Sequence, residues 1–130
     1  MPPAPEKQKQ KQARAAARAA ARAEQGLRKS LKVLRKLMKA PEASPFNEPV
    51  DTEALPQYKK VIRQPMDLGT ICRRLQGVKT PGGGGNPHYS SAAEVCKDVD
   101  LVWKNCQKFN FSGDPIVHQC NALEAQFRQL

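Results

Sequence analysis

Large apolar side chains recur every three or four residues in four stretches of the chain, which is the spacing of one face of an α-helix. The first stretch precedes Pro41, where we expect its helix to end. Its apolar positions are Leu27, Leu31, Val33, Leu34, Leu37 and Met38. The second stretch follows Asp67, a suitable N-cap residue, and is predicted to end at Gly77. Its apolar positions are Leu68, Ile71, Cys72 and Leu75.

The third stretch opens with a predicted capping box formed by Ser91 and Glu94. Its apolar positions are Val95, Val99, Val102, Cys106 and Phe109. The fourth stretch has Asp114 as its predicted N-cap and Pro115 as its first helical residue. Its apolar positions are Ile116, Cys120, Leu123 and Phe127. Because no segment alternates with a period of two, we predict an all-α fold.

Two connecting segments have contrasting compositions. Residues 41–66 contain five prolines and cannot form one helix, yet they carry large apolar side chains such as Phe46, Tyr58 and Ile62. We predict a long ordered loop there and regard it as a candidate functional segment. Residues 81–87, PGGGGNP, are predicted to form a flexible loop. Together the four helices and the long loop predict a four-helix bundle with the loop packed against one end.

The positive charge of the chain is concentrated at its start. Residues 1–40 hold 12 Lys and Arg against 2 Asp and Glu, whereas residues 41–130 hold 10 of each sign. Residues 1–26 have no large apolar side chain after Met1 and cannot build a core. Their Ala and Arg favour a transient helix or an outward extension of the next helix. We therefore predict a flexible basic arm at 1–26 and one folded domain at 27–130.

The cysteines and the apolar runs narrow the range of functions. Cys72, Cys96, Cys106 and Cys120 show no CxxC pair and no zinc-finger spacing, so we predict free thiols, no metal site and a reducing, intracellular location. No apolar run approaches the roughly 20 residues that span a bilayer, and we expect no membrane partner.

The stretches SPFNEPVD at 44–51, LPQYKKVIRQPMDLGTI at 55–71 and KDVDLVWKNCQKFN at 97–110 closely resemble a bromodomain. Each short motif alone is a weak signal, but here they occur together and in the family's order. The similarity runs from about Leu27 to Phe127. Within the family, the chain resembles the single bromodomains of the bromodomain-and-extra-terminal type. It implies a left-handed four-helix bundle, a non-catalytic module that needs no cofactor and binds acetylated lysine, with histone tails as partners, in chromatin-linked transcription regulation in the nucleus.

The resemblance also implies roles for individual residues. Asn110 stands at the position of the anchoring asparagine, and Tyr58 at that of the tyrosine that contacts the acetyl carbonyl through a water. Ile116 falls at the gatekeeper position. The implied wall positions are Pro45, Phe46, Val50, Leu55, Cys106 and Phe109.

These residue types suit the recognition of a neutral amide. An acetylated lysine needs an apolar channel with one donor for its carbonyl, and an asparagine amide supplies that donor. An unmodified lysine would bring three donors and an uncompensated charge into the same channel, at a cost of several kcal/mol, on the order of the penalty for burying an unpaired charge.

Two substitutions and a change in the lengths of two connections depart from the family pattern and bear on partner choice. Ser44 stands where one group of bromodomains has a tryptophan, and Phe109 stands where tyrosine is common. The loop from Val50 to Tyr58 is about two residues shorter than in that group, and the glycines at 82–85 lengthen the connection before the third helix.

Other interpretations of the same residues remain open. Asn110 on its own is typical of a helix C-cap, and Cys106 of a small apolar core residue whose pKa nothing in the sequence lowers. An enzyme would need a histidine placed against Cys106 with a third orienting group. The basic residues within 7–39 could contact nucleic acid weakly and nonspecifically, through phosphates only, or could form a solvated face.

Overall fold

The computed structural model describes residues 5–79 and 89–130, and within them it contains helices and no strands, which confirms the all-α prediction. The glycine-rich loop predicted at 81–87 lies outside the described residues. The α-helices are α1 (Glu6–Met38), α2 (Pro56–Val61), α3 (Leu68–Lys79), α4 (Ala92–Phe109) and α5 (Pro115–Gln129). A 3₁₀ helix, Pro41–Phe46, follows α1.

The four long helices α1, α3, α4 and α5 pack around one core, and each presents the apolar face that its periodicity predicts. Trp103 is the largest fully buried side chain and meets Phe46 edge-on, with ring centroids 6.0 Å apart. The largest of the fully buried side chains are Leu31, Leu34, Leu37, Leu68, Ile71, Leu75, Val95, Val99, Trp103, Cys120 and Leu123. Burying a side chain of this size contributes about 1.5–3 kcal/mol, so these residues hold the bundle together.

The first helix is much longer than its apolar stripe. It begins at Glu6, and every side chain from Glu6 to Arg22 is exposed. Burial starts at Leu27, so only the second half of α1 packs on the bundle. Of the two alternatives for the arm, the outward extension of the helix is the one present. In residues 5–79 and 89–130, no helix is both long enough and apolar enough to cross a membrane.

The predicted helix ends are partly confirmed. Asp67 caps α3 by accepting the Thr70 N–H at 2.9 Å, and Pro115 is the first residue of α5. Gly77 does not end α3, which continues to Lys79, because a single glycine weakens a helix without terminating it. The capping box is wrong: Ser91 makes no side-chain cap bond, and Glu94 instead accepts from the Ser90 hydroxyl.

The long loop between α1 and α3 is tied at both ends by Asn47. Its side-chain amide donates to the Met38 backbone carbonyl at 3.0 Å, and the Asn47 backbone carbonyl accepts a hydrogen bond from the Gly69 N–H at 3.2 Å. A Cβ at position 69 would lie only 2.3 Å from the Asn47 carbonyl oxygen. The glycine in the LGT stretch is therefore required for the loop to approach α3 this closely.

The residues before α4 are anchored by Tyr89, which is buried. Its hydroxyl donates to Asp98 of α4, and Arg74 of α3 forms an ion pair with the same carboxylate at 3.4 Å. Burial, and next the bond to Asp98, raise the pKa of Tyr89. This polar contact thus joins the two helices on either side of the glycine-rich connection.

Candidate functional site

A narrow cavity of about 40 Å³ lies between the long loop, the end of α4 and the start of α5. One buried water needs roughly 10–15 Å³ of cavity volume, so the cavity has room for a few waters. It is bounded mainly by apolar side chains, with an amide, a phenol and two carboxylates among them. Its lining residues are Pro45, Phe46, Glu48, Val50, Tyr58, Met66, Asp67, Val102, Cys106, Asn110 and Ile116.

Asn110 is both the C-cap of α4 and a wall of this cavity. Its backbone N–H and its side-chain amide both donate to the Cys106 carbonyl, at 3.0 and 3.1 Å. The amide nitrogen also lies 3.7 Å from the Cys106 sulfur, a weak acceptor. The two interpretations of Asn110 are therefore compatible: the cap bond orients the amide, and one amide hydrogen has no stronger acceptor than sulfur among these contacts.

Tyr58 enters the cavity from α2 and is buried. Its ring packs edge-on against Phe109 of α4, with centroids 4.8 Å apart and an interplanar angle of 64°. Burial, with a smaller contribution from Cys106, raises the pKa of Tyr58 above its ordinary value. The phenol therefore keeps its proton through the physiological pH range and can donate a hydrogen bond.

Cys106 differs from the sequence-based expectation of an inert apolar thiol. Interaction with the Cys120 thiol, assisted by a bond from the Asn110 amide, lowers the pKa of Cys106 and outweighs the opposite effect of burial. In the thiol form its sulfur contacts the Ile116 carbonyl at 3.7 Å. The lowered pKa is caused by neighbours from α5 and from the end of α4, and the spacing of residues along the sequence does not show that α5 packs against Cys106.

The two histidines do not lie in the cavity as far as the structure describes them. His118 is exposed on α5, and His88 lies outside the described residues.

Asn105 supports the site from outside the cavity, and sequence reasoning missed it. It is buried on α4, and its amide donates to the Gln64 carbonyl at 2.8 Å, which fixes the loop segment leading to Met66 and Asp67. Its place three residues after Val102 and directly before Cys106 puts it at the edge of the apolar stripe. That position is the signal that could have revealed it.

Most residues predicted to form the site come together. Those that line the cavity are Pro45, Phe46, Val50, Tyr58, Cys106, Asn110 and Ile116. Phe109 does not line the cavity and instead packs edge-on against the ring of Tyr58. Leu55 is 46% exposed at the start of α2 and does not line it either, because Pro56 begins a helix that points Tyr58 inward in its place. Glu48, Met66, Asp67 and Val102 complete the walls and were not predicted.

A wider apolar groove of about 340 Å³ lies between α1, the start of α4 and the end of α5. It contains Val33, Val95 and Phe127, and its one hydroxyl, from Ser30, is already bonded to the Gly26 carbonyl at 2.8 Å. Its charged lining residues, Lys29 and Arg128, are exposed to solvent, and Arg128 is paired with Glu124. A specific ligand site needs convergent polar groups as well as volume. The smaller cavity at the other end of α4 has them and is the better candidate.

A sequence model of the bromodomain family matches residues 30–122 of this chain. The match covers all of α3 and α4, the end of α1, the first half of α5 and every residue that lines the narrow cavity. This chain belongs to the bromodomain family. Bromodomains are acetyl-lysine reading modules and are generally non-catalytic. The family match supports neither a particular type of bromodomain nor a particular acetylated partner, and the division into an arm at 1–26 and a domain at 27–130 stays a prediction.

Proposed function

We propose that this bromodomain binds acetylated lysine on histone tails, in the regulation of transcription on chromatin in the nucleus. The observation that carries the proposal is the position of Asn110, whose amide faces a cavity with mainly apolar walls at the end of α4. Our proposed binding residues are those of the cavity, with Asn110 as the anchor and Tyr58 as the second polar contact.

The polar contacts have a simple chemical basis. The Asn110 hydrogen that points towards the Cys106 sulfur at 3.7 Å gains a stronger acceptor when an acetyl carbonyl oxygen arrives. The Tyr58 phenol reaches the same oxygen through a water, for which the cavity has room. Both groups are donors, so they favour an amide carbonyl and oppose an ammonium group.

The cavity is narrower than the head of an acetylated lysine, so binding requires some side chains to move. Pro45 is exposed and Val50 is half-buried, and both belong to the loop and not to the close-packed core. We expect these side chains to move apart while Asn110, fixed by its cap bonds, stays in place. Because one slim side chain is buried and the loop is reorganised, we expect affinities of micromolar order.

The test of the anchor is calorimetric titration of wild type and Asn110→Ala with acetylated and unacetylated histone-tail peptides. Removal of the donor should weaken acetyl-peptide binding by about 5- to 150-fold, corresponding to about 1–3 kcal/mol. Asn121→Ala, at an exposed asparagine of α5, is the matched control and should leave affinity unchanged.

Melting curves separate binding from folding. Loss of the cap bond lowers stability by about 0.5–1.5 kcal/mol, so Asn110→Ala should remain folded at the temperature of the titration. Unchanged acetyl-peptide affinity in the folded variant, or equal binding of the unacetylated peptide by the wild type, would contradict the proposal.

A second binding activity is favoured by the exposed half of α1. Its basic side chains recur at intervals of four, three, four and four residues and so lie along one face of the helix: Lys7, Lys11, Arg14, Arg18 and Arg22. We name this surface the basic stripe. Over its length of roughly 22 Å the stripe offers positive charge and no aromatic side chain, which suits phosphate contact without base recognition. We propose weak, sequence-independent binding of nucleic acid there.

The dependence of duplex DNA affinity on salt tests this second activity. Neutralising one residue of the stripe, as in Lys11→Ala, should reduce the slope of log K against log salt by about 0.9. Lys9→Ala, on a different face of the same helix, is the control and should change the slope less. If the two variants change the salt slope equally, or if DNA affinity does not depend on salt, the proposal is contradicted and the basic stripe is only a solvated face of the helix.

A further inference from the structure

Two cysteine thiols meet where α4 packs on α5. The Cys106 sulfur contacts the carbonyl of Ile116 at 3.7 Å, and Ile116 lies one turn before Cys120 on α5. In the reciprocal contact, the Cys120 thiol lies 3.6 Å from the carbonyl of Trp103, three residues before Cys106 on α4. These crossed contacts place the two cysteine side chains next to each other across the interface between α4 and α5.

The two thiols differ in their access to solvent and in their acidity. Cys120 is fully buried, whereas Cys106 lines the narrow cavity and is 6% exposed. Interaction with the Cys120 thiol, and further a bond from Asn110, lowers the pKa of Cys106, while the same interaction and burial raise the pKa of Cys120. A small reagent in the cavity would therefore meet the more acidic thiol first, with the second thiol directly behind it.

We propose that Cys106 and Cys120 form an oxidation site in which a hydroperoxide converts the pair into an intramolecular disulfide and thereby weakens acetyl-lysine binding. The first part rests on the geometry of the thiol pair alone. The effect on binding rests on the proposed function of the cavity.

The chemistry balances in two steps. The Cys106 thiolate attacks one oxygen of the hydroperoxide, the O–O bond breaks, and Cys106 becomes a sulfenic acid while the other oxygen leaves as water or an alcohol. The Cys120 sulfur then attacks the Cys106 sulfur, the S–O bond breaks, and water leaves with the Cys120 proton. The two thiols lose two electrons in total, and the hydroperoxide accepts them.

Disulfide formation would change the cavity directly. The two sulfurs must come within about 2.05 Å of each other, which turns the Cys106 side chain towards α5. The Asn110 amide then loses its sulfur neighbour, now at 3.7 Å, and the cavity loses one of its walls. Since Asn110 also bonds the carbonyl of Cys106 at 3.1 Å, its orientation follows any shift in the last turn of α4.

The chemical test uses a Cys96→Ser variant, because Cys96 is exposed and could form bonds between molecules. After brief treatment with hydrogen peroxide, quenching and alkylation in denaturant, mass spectrometry should find Cys106 and Cys120 joined and Cys72 alkylated. Cys72 is the internal control, because it is buried and its burial raises its pKa. Oxidation of Cys72 at the same rate, or of Cys106 without a disulfide, would overturn the proposal.

Single variants test the order of the steps. Cys120→Ala removes the neighbour that most lowers the pKa of Cys106, so Cys106 should react more slowly and stop at the sulfenic acid, which dimedone labels. In Cys106→Ala the remaining Cys120 should stay reduced. Oxidation of Cys120 in Cys106→Ala would show that the cavity thiol is not the entry point. Because the Cys96→Ser measurement needs neither variant, the proposal stays testable if one of them fails to fold.

Titration of the Cys96→Ser protein with an acetylated peptide completes the test. We expect oxidation to weaken binding by about tenfold or more, and dithiothreitol to restore it. A disulfide that leaves peptide affinity unchanged would overturn the regulatory part. If the reduced protein binds no acetylated peptide, the proposed function fails, while the mass measurement still decides whether the thiol pair is an oxidation site.

Discussion

The exposed half of α1, from Glu6 to Arg22, and the loop at residues 39–67 are opposite kinds of structure. The first is a regular helix whose side chains all face solvent, and the second has only short helical turns but is fixed by buried contacts. Asn47 and Asn105 each bond a backbone carbonyl of a distant segment, at 3.0 and 2.8 Å. A regular backbone does not by itself mean that a segment is held in place by the rest of the protein. The regular helix follows from helix propensity, whereas the fixed position of the loop follows from packing and satisfied polar groups.

The largest effect should come from Gly69→Ala, at the closest approach of the loop to α3. The added Cβ would lie 2.3 Å from the Asn47 carbonyl oxygen, so the loop must move away. We expect a loss of about 2–4 kcal/mol of unfolding free energy, measured by urea denaturation.

The matched control is Gly77→Ala, in the same helix but with nothing within 4 Å of the added Cβ. It should stabilise the protein by up to about 1 kcal/mol, since alanine is the better helix former. Similar effects of the two variants would show that the loop is not anchored at Gly69.

Asn105→Ala should have the next largest effect. It leaves the Gln64 carbonyl without its donor at 2.8 Å, for a cost of about 1–3 kcal/mol. Gln107→Ala, two residues further along α4 and exposed, should stay within about 0.5 kcal/mol of wild type. Denaturation midpoints for both variants test the pair, and a neutral Asn105→Ala would mean that the loop does not depend on this bond.

Replacing alanine by glycine separates local from global stability. Ala122→Gly, at an exposed position within packed α5, should lower the unfolding free energy by about 1 kcal/mol. Ala16→Gly, exposed in the first half of α1, should reduce helical circular dichroism while the melting temperature stays the same. A lower melting temperature for Ala16→Gly would indicate that the exposed half folds together with the bundle.

A similarly small effect on stability is expected from deleting residues 1–24, although it removes more than half of the longest helix. None of the described side chains from Glu6 to Arg22 is buried, so the melting temperature should change by less than ~5 °C. A larger decrease in a thermal melt would mean that these residues pack on the domain.

The sequence predicted the packed helices well because their apolar spacing is strong. It did not predict where α1 begins, since Glu6–Arg22 lacks an apolar stripe and relies on alanine and arginine propensity alone. It also placed the end of α3 too early, because a glycine at position 77 is tolerated where nothing else stops the helix.

The candidate site was predictable only in part. Asn110 and Tyr58 were found through resemblance to a family, not through periodicity. The contacts of Asn105, Tyr89 and the Cys106–Cys120 pair depend on which residues of separate helices face each other, and helical spacing within one segment carries no information on that register.

The length of α1 also sets a geometric condition on any target that engages both proposed surfaces. From Leu37, near the cavity end of the bundle, to Lys7 the helix rises about 45 Å at 1.5 Å per residue. If the two surfaces were joined by a flexible linker, binding at one of them would leave the other free to reach partners over a wide range of distances. A helix instead restricts the second contact to a narrow shell, so effective local concentration is high at matching separations and falls to near zero elsewhere. On chromatin, such a spacer would select for the distance between an acetyl mark and the nearest accessible phosphates, a property that neither surface has alone.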